Sequence, residues 1–273
     1  MRMDNYQRGS LQSVEASLPN LQELTITWCP KLKRLHLDAA WLRRLNLSGC
    51  AGLEELDCTG LSSLKELRLN LCSSLTALSS LPTSLQSLIM RMDNYQRGSL
   101  QSVEASLPNL QELTITWCPK LKRLHLDAAW LRRLNLSGCA GLEELDCTGL
   151  SSLKELRLNL CSSLTALSSL PTSLQSLIMR MDNYQRGSLQ SVEASLPNLQ
   201  ELTITWCPKL KRLHLDAAWL RRLNLSGCAG LEELDCTGLP CLEEVHLDYC
   251  LSLKNLSVDP MKLERLSFFY ELD

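Results

Sequence analysis

The chain has 273 residues, of which 45% are hydrophobic, and its formal net charge at pH 7 is −2. A balance this close to neutral gives no electrostatic basis for nucleic-acid binding, which needs a basic face. No apolar run approaches the roughly 18 residues that a membrane span requires. From composition and charge we therefore expect neither a nucleic-acid nor a membrane partner.

A long internal repeat dominates the sequence. Residues 1–89 recur without change as residues 90–178, and residues 1–61 recur as residues 179–239. Identity at a fixed period indicates a solenoid of stacked units, because no single unit can bury its own apolar face. We predict a single domain over the whole chain, with the third block diverging after residue 239. The three blocks are 1–89, 90–178 and 179–273.

A shorter period divides each block into four units of 21, 22, 21 and 25 residues. In the first block these units begin at Leu21, Leu42, Leu64 and Leu85. Each opens with L-x-x-L-x-[L/I/M]-x-x-[C/D], which resembles the signature of leucine-rich repeats. The resemblance covers nearly the whole chain and implies a curved parallel β-sheet on a concave face, with an irregular, 3₁₀ or short extended convex side.

The residues support the same architecture without the family name. Leu21, Leu24 and Ile26 are predicted to point one way, and Glu23, Thr25 and Thr27 the other way, onto the exposed side of the sheet. This period of two indicates a half-buried strand. Connections of about fifteen residues make neighbouring strands parallel. We expect strands near 23–27, 44–48, 66–70 and 87–91, recurring every 89 residues. The second half of each unit is too short for a full helix and is expected to be extended or 3₁₀.

Nine of the thirteen cysteines occupy one slot of successive units. The family resemblance implies that they form a buried ladder whose thiols bond the turn backbone. Asp93 and Asp182 fill this slot in the long units and must find N–H partners or stay near water. No spacing typical of a metal site occurs, and free thiols favour a cytoplasmic setting. The slot cysteines are Cys29, Cys50, Cys72, Cys118, Cys139, Cys161, Cys207, Cys228 and Cys250.

The third position of each strand carries alternating charge, which we call the charge ladder. Because adjacent strands lie about 4.8 Å apart, opposite charges stand side by side. Two interpretations remain open: a self-neutralising ladder that sets register, or a polar recognition surface. The ladder runs Glu23, Arg44, Glu66, Ser87, Glu112, Arg133, Glu155, Ser176, Glu201, Arg222, Glu244 and Arg265.

The eighth position, where strand becomes turn, is called the rim. It carries large apolar groups, which favours a partner contact; the alternative is that these groups fold over the edge and cover the turn. The second tryptophan of each block is predicted to be a packing residue. The rim runs Trp28, Gly49, Leu71, Met92, Trp117, Gly138, Leu160, Met181, Trp206, Gly227, Tyr249 and Tyr270.

No residue set with the spacing of a catalytic, cofactor or metal site was found, so we expect a non-enzymatic protein without a cofactor. The sheet face and rim supply the candidate ligand-binding residues instead. These are Trp28, Arg68, Arg91, Trp117, Arg157, Arg180, Trp206, His246, Tyr249 and Tyr270.

Two branches of the leucine-rich repeat family share short motifs with this chain. LNLSGCAGLEELDCTG and LRLNLCSSLTALSSLP resemble repeats of plant nucleotide-binding immune receptors, and LTALSSLPTSLQSLIM resembles the L-P-x-x-L repeats of bacterial effectors. Both resemblances imply non-catalytic binding of a protein or peptide on the concave sheet. They identify no partner.

A different class of function also remains open. Complete identity between blocks is unusual in a natural solenoid, so the alternative is an engineered or recently multiplied array with an architectural role. The first strand also has no complete preceding unit, which predicts self-association through the N-terminal edge.

Overall fold

The computed structural model describes residues 10–78, 80–93, 95, 97–167, 169–182, 186–258 and 263–269. Within these ranges every regular element is a β-strand, and no helix is present. The chain divides into two compact units, Met1–Cys139 and Ala140–Asp273, which are described separately. The single-domain assignment stays a prediction.

Unit 1 contains twelve parallel strands in two layers. The main strands form one sheet in the order β2-β4-β6-β8-β10-β12, and the outer strands form two three-stranded sheets, β1-β3-β5 and β7-β9-β11. The strands are β1 Ser13–Ser17, β2 Glu23–Thr25, β3 Arg34–Asp38, β4 Arg44–Asn46, β5 Glu55–Asp57, β6 Glu66–Arg68, β7 Ala77–Leu78, β8 Ser87–Arg91, β9 Ser102–Ser106, β10 Glu112–Thr116, β11 Arg123–Asp127 and β12 Arg133–Asn135.

Unit 2 repeats this plan. Its main strands follow the order β13-β14-β16-β18-β20-β22, and its outer strands pair as β15-β17 and β19-β21. The strands are β13 Glu155–Arg157, β14 Ser176–Arg180, β15 Ser191–Ser195, β16 Glu201–Thr205, β17 Arg212–Asp216, β18 Arg222–Asn224, β19 Glu233–Asp235, β20 Glu244–His246, β21 Asn255–Ser257 and β22 Arg265–Ser267.

The main strands confirm the predicted starts at residues 23, 44, 66 and 87 and their recurrence in later blocks. Several end two residues earlier than predicted. The backbone beyond them still bonds to the next turn, as where the Ile26 N–H donates to the Asn46 carbonyl at 2.9 Å. The chain then turns at the rim, where Trp28 and Gly49 both have positive φ.

The sequence allowed an extended or a 3₁₀ outer side, and the structure shows the extended form. In β3, buried Leu35 and Leu37 alternate with exposed Arg34, His36 and Asp38. This alternation places the leucines between the two layers, where they meet the main-strand leucines. Leu32, Leu42 and Leu53 close this core and are completely buried.

Two side-chain predictions from the sequence are wrong. Trp41 and its copies Trp130 and Trp219, predicted to pack, are 61%, 60% and 57% exposed. They lie in the turn that leads into a main strand, where the core is already closed by the following leucine, such as Leu42. The second error concerns main-strand threonines and is described with the sheet face.

Candidate functional site

The charge ladder exists in the register that the sequence predicts. In unit 1, Glu23 stands opposite Arg44, and Glu112 stands opposite Arg133. Arg44 forms an ion pair with Glu23, and Arg133 Nη2 lies 3.5 Å from Glu112 Oε2. In unit 2, Arg222 Nε lies 3.8 Å from Glu244 Oε2. The arginines of these pairs are more than half exposed, so each pair is expected to add little stability.

Arg68 and Arg157 project from the last residue of β6 and β13. Each lies beside the glutamate two residues earlier, with Arg68 Nη2 3.8 Å from Glu66 Oε2 and Arg157 Nη2 4.0 Å from Glu155 Oε2. Both arginine side chains are about half exposed. They therefore present a guanidinium to solvent that is only loosely held.

A shallow groove crosses the sheet face in each unit. The unit 1 groove has a volume of about 250 Å³ and includes Arg44 and Arg68. The unit 2 groove is larger, about 440 Å³, and both charge signs and amides line it. Its lining residues are Glu155, Arg157, Gln175, Ser176, Ile178, Gln200, Glu201, Arg221, Arg222 and Glu243.

The prediction that main-strand threonines face solvent is wrong for the second and third copies. Thr114 is 3% exposed and Thr203 is 4% exposed, although the equivalent Thr25 is half-buried. Each buried threonine lies between two main strands whose side chains cover it, with Ile89 opposite Thr114 and Ile178 opposite Thr203. The sheet face is therefore partly apolar along these strands.

A polar cluster on β20 and β22 was not predicted from sequence. His246 Nδ1 lies 2.9 Å from Ser267 Oγ, which donates to Asp248 Oδ2 at 3.1 Å. His246 Nε2 is 3.8 Å from Glu244 Oε2. The Asp248 Oδ1 atom is buried and has no hydrogen-bond partner among the described residues. This arrangement fixes the His246 ring on the sheet face, in the slot where the blocks carry arginine.

At the rim, the structure supports the interpretation in which tryptophan folds over the edge. Trp28, Trp117 and Trp206 all have φ near +56° and are half-buried. Each indole lies against the glycine of the next turn. A Cβ at Gly138 would come within 2.7 Å of Trp117 Cδ2, so only glycine admits the ring. The remaining indole surface stays open to a partner.

In unit 2 the rim forms an aromatic cluster. The Trp206 and Tyr249 rings stack with centroids 5.7 Å apart at 28°, and Tyr249 meets Phe269 edge-on, also at 5.7 Å. The structure thus brings together Trp206 and Tyr249, two of the predicted site residues. Tyr270, the next predicted rim residue, lies outside the described residues.

Arg91 and Arg180 end the long main strands and are exposed. Their backbone N–H groups donate to Asn70 Oδ1 and Asn159 Oδ1 at 3.0 and 2.9 Å. In register, Arg91 stands opposite Thr116 and Arg180 opposite Thr205, one residue before the rim tryptophan. Both side chains therefore start on the sheet face beside the rim.

The cysteine slot behaves as the resemblance implied. All thirteen cysteines are free, and those of the slot are buried. Some of these thiols donate to a carbonyl of the preceding turn, as Cys50 Sγ does to Ile26 at 3.5 Å and Cys72 Sγ to Leu47 at 3.2 Å. Others donate to the carbonyl two residues earlier in their own turn, as Cys118 Sγ does to Thr116 at 3.7 Å. Burial raises the pKa of Cys50 to about 11. In the long unit Asp93 is exposed and accepts the Tyr95 N–H at 2.8 Å, which satisfies a carboxylate in this slot.

The acidic tract on the outer strands is paired. His36 Nδ1 lies 2.9 Å from Asp57 Oδ2, and Lys33 and Arg34 lie 3.4 and 3.5 Å from Glu54 and Glu55. The Thr59 backbone N–H, with smaller contributions from the Thr59 hydroxyl and His36, lowers the pKa of Asp57. This face is a second charge ladder, on the side opposite the candidate site.

Over the described ranges, no group of three or more histidine, cysteine or acidic side chains is arranged to hold a metal ion. Those same ranges contain no helix with the length and apolarity to cross a membrane.

Known plant proteins contain segments that are similar to these repeats. No protein-family model matches the chain. It is 30% identical over 198 residues to the disease resistance protein RPS4B of Arabidopsis thaliana, covering 71% of this chain and 16% of that protein. It is 27% identical over 253 residues to the protein SUPPRESSOR OF npr1-1, CONSTITUTIVE 1 of the same plant, covering 82% and 17%. The chain thus spans less than a fifth of these relatives.

Among solved structures, a leucine-rich repeat protein from Bacteroides ovatus aligns over 87% of this chain and 75% of its own, with 15% identity and a TM-score of 0.43. The repeat signature recurs along the chain, and each turn contributes one parallel main strand. The repeat signature and these strands show the leucine-rich repeat fold, and the repeats are similar to segments of plant disease-resistance proteins.

Proposed function

We propose that the chain is a non-catalytic binding module that recognises a protein or peptide on the face of its main sheet. The observation that carries this proposal is the 440 Å³ groove of unit 2, which is lined by arginine, glutamate and glutamine side chains. A mixed polar lining of this kind offers hydrogen-bond donors and acceptors across several strands. Such a surface suits many weak polar contacts to a folded or extended chain.

The similar plant proteins give more general support for a binding role. Proteins named for disease resistance contain segments similar to these repeats. We take this likeness, together with the sheet-face groove, as support for a binding role. The identity of a partner does not follow from this likeness.

The experiment compares three immobilised baits incubated with Arabidopsis thaliana extract. The first is the unaltered chain. The second is a sheet-face variant, Arg68→Ala/Arg157→Ala/Arg180→Ala. The third is an outer-strand variant with the same loss of charge, Arg34→Ala/Arg123→Ala/Arg212→Ala. All six arginines are exposed, so all three baits should fold alike, which their unfolding midpoints check.

We expect at least one protein that the unaltered and outer-strand baits retain and the sheet-face bait loses. The purified partner should then bind the sheet-face variant at least tenfold more weakly than the other two. Identical retention by all three baits would refute binding on the main sheet.

A second candidate is the architectural role, which the internally paired charge ladder favours. Arg44, Arg133 and Arg222 are each engaged by a neighbouring glutamate. If no protein distinguishes any bait from empty resin, this role becomes the better explanation.

A further inference from the structure

The rim of unit 2 differs from the repeated blocks at two neighbouring positions. Tyr249 stands where the blocks carry Leu71 and Leu160, and Leu251 stands where they carry Ser73 and Ser162. The first change puts a larger, aromatic ring at the rim, and the second replaces a polar side chain by an apolar one. Leu251 is 66% exposed, which is unusual for a leucine in this fold.

These two residues complete a shallow pocket of about 380 Å³. Its walls are apolar apart from one guanidinium and the tyrosine hydroxyl. The floor is Gly227, against which the Trp206 indole rests. The lining residues are Arg186, Trp206, Pro208, Gly227, Ala229, Tyr249 and Leu251.

The backbone around this pocket has few donors left for a ligand. The Trp206 N–H donates to Ser226 at 2.9 Å, the Gly227 N–H to Asp248 at 2.7 Å, and the Tyr249 N–H to Phe269 at 2.9 Å. Hydrogen-bond donors to a ligand must therefore come mainly from side chains. The stacked Trp206 and Tyr249 rings, only 28° from parallel, form one continuous platform for it.

The shape of the pocket favours a flat ring that stacks on one face. Leu251 stands open to solvent, so the walls are low and would not enclose a large aromatic anchor. A proline ring needs only such a platform, and an extended proline-rich segment is already ordered before it binds.

The charge at the pocket favours an acidic ligand. Among the described lining residues, the charged one is Arg186. Its guanidinium carries five N–H donors, so a glutamate next to the proline can bind it beside the contacts that it already makes.

From these observations we infer that the rim of unit 2 binds an extended, acidic, proline-containing peptide segment. The proline ring packs on Trp206 and Tyr249, and a neighbouring carboxylate faces Arg186. This inference deepens the proposed function and rests on it, because it names the class of segment that a protein partner would present at the rim.

The test uses a fluorescein-labelled, end-blocked peptide of four Pro-Pro-Glu repeats, with binding measured by anisotropy. We expect saturable binding with a dissociation constant below about 1 mM. The variant Tyr249→Leu/Leu251→Ser should bind at least tenfold more weakly. It installs the residues that the blocks carry at the same slots, so it should fold, which its circular dichroism and unfolding midpoint check. A Pro-Pro-Lys peptide should bind at least fivefold more weakly than the acidic one.

Three results would overturn the inference: no saturable binding, equal binding by the double variant, or tighter binding when phenylalanine replaces proline in the peptide. The last would indicate an aromatic anchor instead. The sheet-face variant Arg68→Ala/Arg157→Ala/Arg180→Ala changes no residue that lines the pocket and should bind this peptide like the unaltered chain. Loss of partner capture by that variant and loss of peptide binding by the rim variant therefore test the two proposals separately.

Discussion

Two copies of the segment ELTIT show how strongly neighbouring turns determine structure in this protein. In β2 the strand covers three residues and Leu24 is half-buried, whereas in β10 it covers five and Leu113 is completely buried. The sequences are identical. β10 pairs with β8 over five residues and with β12 on its other side, while β2 pairs with β4 alone among the described residues. Stability in such an array is therefore a sum of contacts between neighbours rather than a property of the unit.

The largest expected effect is at the leucine that the two copies of ELTIT share. Leu113→Ala removes a fully buried side chain and should lower the free energy of unfolding by about 3–5 kcal/mol. Leu24→Ala removes the same atoms from a half-buried site and should cost about 1 kcal/mol. Urea unfolding of both variants measures the difference. Equal losses would mean that burial at β2 matches burial at β10 in solution.

At the rim glycines, by contrast, the same substitution should have the same effect in the first and second copies. A Cβ at Gly49 or Gly138 would lie 2.9 or 2.7 Å from the indole of the preceding turn, and both glycines have φ near +80°. Each Gly→Ala variant should lose about 2–4 kcal/mol, since the strain and the clash exist in both copies. Gly238→Ala is the control, because nothing lies within 4 Å of its added Cβ, and it should stay within about 0.5 kcal/mol. A tolerated Gly138→Ala would contradict the packing of Trp117.

The pH dependence of stability should also differ between the two copies, because their cysteines are buried to different extents. Burial raises the pKa of Cys29 above its ordinary value of 9.0 and raises that of Cys118, its copy, further. The unfolded chain releases these protons above pH 9 while the folded chain keeps them. Stability is therefore fully present below pH 9 and falls as pH rises through the folded pKa values, by up to about 1.4 kcal/mol per pH unit for each thiol.

Urea titrations at pH 8, 9 and 10 check this slope. Cys118→Ala should reduce it by about one proton, and Cys29→Ala should reduce it by less. Gly98 packs closely against the Cys118 sulfur and adds to its burial, while the Gly98 backbone hydrogen bond acts in the opposite direction and lowers the pKa. An unchanged slope in Cys118→Ala would show that this thiol ionises in the folded state as it does in the unfolded one.

The smallest expected effect lies in the charge ladder. Arg44→Ala and Arg133→Ala each remove one exposed ion pair and should lower the free energy of unfolding by less than about 1 kcal/mol. The loss should shrink further in 0.5 M salt, because exposed pairs are screened. A loss above 2 kcal/mol at either position would show that the ladder supplies stability as well as register.

Much of the fold could be predicted because two periods coincide in this sequence. The L-x-x-L spacing located the start of the main strands, and the repeated Cys29 slot located the buried turn. The spacing could not reveal where a strand ends, because that depends on pairing with the next turn, as β2 and β10 show. Nor could the spacing predict that Trp41 is exposed. Its ring is large and apolar, but it lies in a turn where Leu42 already closes the core. Association through the β2 edge stays a prediction.

Less of the candidate site could be predicted. The ladder register follows from strand alternation, so Glu23 and Arg44 were found opposite each other as expected. The cluster of His246, Ser267 and Asp248 joins residues from two turns, and only the register of β20 and β22 brings them together. A signal did exist: the third block departs from the others after residue 239, and the cluster and the rim pocket both use residues from that segment.

The joint between the first two blocks, Ile89–Met90, falls inside strand β8, where it is paired like any other backbone. No special contact marks the seam, so an 89-residue block can be gained or lost without a new kind of interface. In unit 1 the identical surfaces of β4 and β12 lie four strands apart, about 19 Å at the usual strand spacing. The array thus repeats each surface at a set interval. A partner with two matching segments at that interval would gain avidity that a partner with one could not.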